Sequence, residues 1–371
     1  MKATRILSIV LVIAMALSMV ACGSKTETAP AAAPAAAPAA EAAPAAEAAP
    51  AAEAAPAEAV ADFEPFKIKL SHDLTNTHPA YDYVAEFAEN VKAKSNGKIE
   101  VIVYDAGQLS GGNSDETTNL VRAGDVDMAI INGMATPDWE ALKLCFLFRD
   151  IDDVHTFYES EAGDYFFNLL TQNGIHGHVW MDIGWRTFTA TRDVSDVKNA
   201  AGLKIRIPSS TAISLMVEAM GGTANFVSIG ELYTALQQGY VEAQENPILT
   251  AYARAYDEVT PYIIPTNHVF TYFILASNDN WWNSVDPAAQ AIIDECAREM
   301  SDKMNNGGMQ SAIDEKIDEM VARGATLCTM TDEQRDEWVA LGRSTHAKML
   351  DVIPLETLEI TYDALGIPYS W

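Results

Sequence analysis

From residue 66 onward, short runs of β-branched and aromatic residues alternate with stretches whose apolar positions recur every three to four residues. Phe66–Leu70 predicts a strand running into the polar loop Ser71-His72-Asp73. Pro79 opens a helix with Val84, Phe87 and Val91 on one face, and Gly97 ends it. Ile99–Tyr104 predicts the next strand. Ser114 caps a helix that stops at Gly124, before a strand over Val126–Ile131. Further on, Ser209–Met220 predicts a helix closed by Gly221-Gly222. Ser228 and Glu231 form a capping box for Ile229–Gln238, and a strand follows over Tyr240–Gln244. Phe270–Ala276 is an apolar strand. Asp286-Pro287 starts a long helix to Met304, and Asn305-Asn306-Gly307-Gly308 breaks it before Met309–Arg323. Thr331 and Gln334 form a second capping box, for a helix running to Leu350. Strands alternating with helices predict an α/β fold with a mostly parallel sheet. At this length two lobes are expected.

The N-terminus departs from that pattern. Lys2 and Arg5 precede an apolar run, Ile6 to Val20, and then Ala21-Cys22-Gly23-Ser24. This is a secretory signal over residues 1–21, with Cys22 as the lipidation site that becomes the new N-terminus. An uncleaved span is the alternative, for which the run is short. Residues 22–61 are almost entirely Ala, Pro and Glu, in which proline interrupts helix and nothing builds a core. Such a tether, extended at about 3 Å per residue, reaches on the order of 100 Å. The expected location is therefore outside the cell interior, lipid-anchored to the outer face of the cytoplasmic membrane.

Charge narrows the function further. The chain carries 24 basic and 52 acidic residues, net −28, and loss of Lys2 and Arg5 with the signal takes that to −30. Such acidity excludes nucleic acid as a partner and repels anions at long range. An anionic ligand must then be held by local cations. Cys145, Cys296 and Cys328 match no zinc spacing, and a Cys296–Cys328 disulfide and three free thiols both fit. No nucleotide loop, H-E-x-x-H or G-x-S-x-G occurs, so neither a cofactor nor an enzyme is expected.

One cation stands out. Arg206 lies between Ile205 and Ile207, directly before Pro208 stops the strand. A guanidinium at such a sheet end costs desolvation unless an anion meets it, and its planar donor fork matches a carboxylate. An ion pair with a nearby Asp or Glu is the ordinary alternative. His72, Asp73 and Asn132 fall at the carboxyl ends of strands, where α/β sheets present ligands. Trp185 beside Arg186 is placed to touch a ligand, whereas Trp281 and Trp282 suit packing.

Taken in order, Gly184-Trp185-Arg186, Gly202-Leu203-Lys204-Ile205-Arg206-Ile207-Pro208, Ser228–Leu236 and Gln244-Glu245-Asn246-Pro247 resemble the solute-binding proteins of tripartite ATP-independent periplasmic (TRAP) transporters, the DctP-like family. The resemblance extends over nearly the whole chain after Asp62. Departures are Cys145 and Ala224 where proline is common, and Glu242-Ala243 in place of Asp-Gly. The resemblance implies a two-lobed periplasmic-binding-protein-like fold with an interlobe cleft, crossing hinge strands and a long helix spanning both lobes. It implies lobes of residues 62–183 with 272–311 and of 184–271 with 312–371. It implies that Arg206 clamps a ligand carboxylate, that Arg186 assists and that Asn246 supplies an amide contact. The ligand class it implies is a small organic acid, a C4-dicarboxylate or a sugar acid such as a uronate. Trp185 beside Arg186 and the polar opposite wall of His72, Asp73 and Asn132 favour the hydroxylated kind. The implied partners are small and large membrane subunits driven by an ion gradient, with the receptor itself a monomer. A ligand-binding protein for a membrane sensor, and an extracytoplasmic enzyme, are the competing functions.

Overall fold

A computed structural model describes residues 63–369, all within one compact unit, Ala57–Trp371. The signal, Cys22 and the tether lie outside the described residues.

Among the described residues ten strands form the framework: β1 (Phe66–Ser71), β2 (Ile99–Tyr104), β3 (Met128–Ile131), β4 (Ile175–Ala190), β5 (Lys204–Ile207), β6 (Thr223–Phe226), β7 (Ala243–Pro247), β8 (Tyr262–Ile264), β9 (Phe270–Asn278) and β10 (Thr326–Leu327). Their order is β2-β1-β3-β9-β4-β7-β5-β6, with β8 beside β4 and β10 beside β8. The sheet is mixed, not mostly parallel: five pairings are parallel and four antiparallel. Every antiparallel pairing involves β4 or β9, the two strands that cross between halves. Each half keeps parallel βα units, and the crossing strands run back against them.

β4 makes the connection. Its residues Ile175 to Trp185 pair with β9, and Arg186 to Ala190 pair with β7. The register slips between Asp182 and Gly184, just where the strand changes partner. Gly184 has φ 125°, and a Cβ there would sit 3.0 Å from the Ile313 side chain, so this bend needs glycine.

The long helix breaks opposite that bend. Pro287–Lys303 is capped by Asp286, a turn over Met304–Gly308 puts Asn306 and Gly307 outside helical geometry, and Met309–Ala322 continues. The first piece packs on the helix Ala80–Lys94 and the second on Ile248–Ala253 and β10. Asn305, in the break, accepts from the Asp182 amide at 2.8 Å and donates to the Trp180 carbonyl at 3.2 Å. The kink and the strand bend are thus tied together.

Ala80–Lys94 buries Val84, Phe87 and Val91, the face its spacing predicts. Other boundaries shift. Asn113, one residue before Ser114, caps Ser114–Ala123 by accepting from the amides of Asp115 (3.0 Å) and Glu116 (3.4 Å). Ser228 donates to the Glu231 carboxylate at 2.8 Å instead of capping, and the helix is only Leu232–Gln237. Thr331 and Gln334 do form their box, but Asp332–Arg343 stops short of Leu350. β7 lies three residues later than predicted, which puts Asn246 inside the strand. The helix Leu355–Ala364 packs through Leu358 and Tyr362 on Glu161–Gln172 and Pro137–Lys143. Cys145, Cys296 and Cys328 are free and buried.

Candidate ligand cleft

Where the sheet halves meet, two adjoining cavities share Ser114, Asn132, Arg186, Ile229 and Thr271 as their common wall. The larger encloses about 830 Å³ including its open mouth, and the smaller about 570 Å³.

Arg206 lines the larger cavity. β5 pairs it with Gln244 on β7 and Asn225 on β6, so the side chain rises from the middle of three strands. It is 3% exposed. Its Nε donates to the Val227 carbonyl at 2.8 Å, and its terminal nitrogens meet no acceptor among the described residues. Burial pulls its pKa down to about 10, only partly opposed by Tyr256 and Glu245. The ordinary alternative, an Asp or Glu in contact with Arg206, is not what the structure shows.

Arg186 differs. Its Nε and Nη2 grip the Glu245 carboxylate, Nη2 also donates to the Glu245 carbonyl (2.6 Å) and Asn246 Oδ1 (3.3 Å), and Nη1 reaches Thr271 Oγ1 at 3.2 Å. Burial would raise the Glu245 pKa, but Arg186 first and then His268 outweigh it and hold the carboxyl at about 2. His268, fully buried, bridges Glu245 (3.1 Å) and Thr266 (2.8 Å), and burial keeps its pKa below the ordinary value. The charge of Arg186 is therefore already answered.

Asn132 faces both cavities. Asn246 and Asp73 line the smaller one. Asn246 donates to Gln244 at 2.6 Å, and Asp73 accepts from Ser110 (3.2 Å) and Thr117 (3.0 Å). Two predicted residues lie outside both cavities. Trp185 packs edge-on to Phe270 at 5.1 Å, because neighbours along a strand point to opposite faces and Arg186 takes the cleft side. His72 is fully buried beside Tyr81, its ring nitrogens meet no hydrogen-bond partner among the described residues, and burial lowers its pKa to about 4.

Sequence reasoning missed three contributors. Lys143 lines the larger cavity and donates to Glu140 (3.0 Å) and to the Ser209 carbonyl (3.3 Å). Asp115 lines it from the first turn of Ser114–Ala123, and Tyr272 from β9. Only the helix cap hinted at Asp115. At the rim, the two halves touch backbone to backbone: Gly230 N–H points to the Gly112 carbonyl at 3.3 Å, and a Cβ on Gly112 would lie 3.0 Å from Gly230 Cα.

A two-lobed α/β frame with a buried, unanswered guanidinium in the cleft has the geometry of a receptor that encloses a small solute. The comparisons agree: residues 70–351 match the DctP model of bacterial extracellular solute-binding proteins, family 7, and the chain belongs to that family. The C4-dicarboxylate-binding periplasmic protein DctP of Rhodobacter capsulatus is 27% identical over 302 residues, 80% of this chain and 90% of that protein. A TRAP periplasmic solute-binding protein from Shewanella oneidensis, solved with succinate, superposes with TM-score 0.75 at 25% identity over 81% of this chain and 99% of its own. The sugar acid binding protein of Advenella mimigardefordensis, solved with galactonate, gives 0.77 at 22% identity, covering 82% and 99%. The chain is thus a TRAP-type solute-binding protein with the two-lobed fold. Among the described residues no helix is long and apolar enough to cross a membrane.

Proposed function

We propose that this protein captures a small organic acid by its carboxylate and delivers it to the small and large membrane subunits of a TRAP transporter. The observation that carries this reading is Arg206, a guanidinium only 3% exposed whose terminal nitrogens meet no acceptor among the described residues. A carboxylate there makes two charge-assisted hydrogen bonds in a low-dielectric site. Arg186 supports it by position: the Arg186–Glu245 pair and Asn246 form the wall behind the ligand, with at most one Arg186 N–H turned to it. Contacts to both halves favour the closed form through differential affinity. Asn132 serves either cavity. In this reading the lobes divide where β4 leaves β9 for β7, and Cys22 carries the lipid that holds the tether to the membrane. The relatives solved with succinate and galactonate bracket the ligand class.

The test is thermal unfolding of the full chain with succinate, galactonate and the corresponding amides. A ligand at about 100 times its Kd adds about 2.7 kcal/mol. Stabilisation by an acid and not by its amide supports the carboxylate clamp. Equal stabilisation by both refutes it.

A further inference from the structure

Four side chains that carry a formal charge line the larger cavity: Arg206, Arg186, Lys143 and Asp115. Arg186 is matched by Glu245, and Lys143 by Glu140. That leaves one cation and one anion without partners. The Asp115 carboxylate makes no hydrogen bond or ion pair among the described residues, although its backbone amide is held by Asn113. The Tyr272 hydroxyl, in the same wall, is likewise without a partner. Two unpaired groups of opposite sign in one small cavity describe a ligand with two unlike ends.

We infer that Asp115 is a specificity-determining residue that accepts a hydrogen bond from a hydroxyl or ammonium group on the acid whose carboxylate Arg206 holds. The inference rests on the clamp proposed above. With Glu245 and Glu140 counted, the cations and anions around the cavity balance. A monocarboxylate then brings the single negative charge that Arg206 can receive. A dicarboxylate brings a second one, for which no unpaired cation remains and which meets the Asp115 carboxylate as a like charge. A donor-bearing acid instead satisfies Asp115, which burial already pushes toward a raised pKa against the pull of Lys143.

An acidic residue in the first turn also complements the helix dipole, a structural role that Glu116 shares. Selectivity separates the two roles, because a purely structural Asp115 leaves ligand ratios unchanged. The experiment is titration calorimetry of the full chain with galactonate, 4-aminobutanoate and succinate, in wild type, Asp115→Asn and Arg206→Met. Wild type is expected to bind galactonate or 4-aminobutanoate at least tenfold more tightly than succinate. Whichever of the two binds names the donor as hydroxyl or ammonium. Asp115→Asn is expected to cut that preference below threefold, with its melting temperature close to wild type. Succinate binding as tightly as the others in wild type, or an unchanged ratio in Asp115→Asn, overturns the assignment. Binding retained by Arg206→Met refutes the clamp itself, whereas an inactive Arg206→Met with an unchanged Asp115→Asn ratio refutes only the role of Asp115. If wild type binds none of the three, both readings fall.

Discussion

Replacing Arg206 by methionine should weaken binding and strengthen the unliganded fold at once. The guanidinium is 3% exposed, keeps one hydrogen bond to the Val227 carbonyl, and is depressed by burial to about 10. At about 1.4 kcal/mol per pKa unit, that depression corresponds to a strain on the order of 3 kcal/mol. A cation whose folded pKa is depressed carries this cost at every pH below about 10 and sheds it only above, so the full cost is present at neutrality. Methionine removes the charge and fills similar space, but gives up the Val227 bond, a loss of about 1 kcal/mol. The net expectation is an unliganded protein more stable by about 1–2 kcal/mol and a melting temperature up a few degrees. Binding moves the other way. Removing one partner of a buried charge pair costs about 3–5 kcal/mol, so affinity should fall from about a hundredfold to a few thousandfold. Calorimetric melting without ligand and titration with succinate or galactonate, whichever the wild type binds, measure the two halves. A variant that melts well below wild type, or that binds as well as wild type, refutes the reasoning: Arg206 would then be a structural residue.

Glu245→Gln should cost about 3–5 kcal/mol, since it strands Arg186 in the interior. Because the folded pKa of Glu245 is held down at about 2, its stabilisation is complete above the ordinary glutamate range and is lost as pH falls through about 2. Acid unfolding of wild type and variant should therefore converge at the low end of that window, and parallel curves would count against it. His72 behaves oppositely to a paired histidine. With its folded pKa lowered to about 4, the unfolded chain takes up the proton first, so stability should drop as pH falls from about 6.5 toward 4. His72→Phe should flatten that segment of the profile, and an unchanged slope would remove His72 as its source. At the rim, Gly230→Val crowds the Gly112 backbone, where even a Cβ lies 3.3 Å from Gly112 Cα. It should raise the ligand off-rate about tenfold, an effect near 1.4 kcal/mol, with little change in melting. Stopped-flow tryptophan fluorescence measures it, and an unaltered off-rate would mean the glycines do not hold the closed form.

What the sequence makes legible here depends on whether the signal is local. Arg206 can be read because everything that isolates it, the flanking isoleucines and Pro208, sits within two residues. Thr331 and Gln334 can be read for the same reason, and both halves of their box form. Glu245 lies only one residue from the Asn246 that the motif brings out, yet its role as the counter-ion of Arg186, 59 positions away, is set by how β4 and β7 pair. No local spacing encodes that register. β4 shows the difficulty most plainly: sixteen residues serve two halves of a sheet, and a register shift at Asp182–Gly184 breaks the alternation that would tell which side chains face inward. Past the shift, successive residues of the strand still face opposite sides, and that carries information that pattern matching overlooks. Trp185 and Arg186 are neighbours on a strand, so both cannot face the same cavity. Once Arg186 is assigned to the cleft, Trp185 belongs to the packing against Phe270, where the structure has it. Asp115 marks the same boundary at a helix end. Moving the cap from Ser114 to Asn113 changes no residue type, but it commits Asn113 to the backbone and leaves the Asp115 carboxylate unbonded at the cavity wall. A residue that satisfies the backbone leaves a sequence signature, as Asn113 and Thr331 do, whereas the Asp115 carboxylate, which bonds to nothing among the described residues, leaves none of its own.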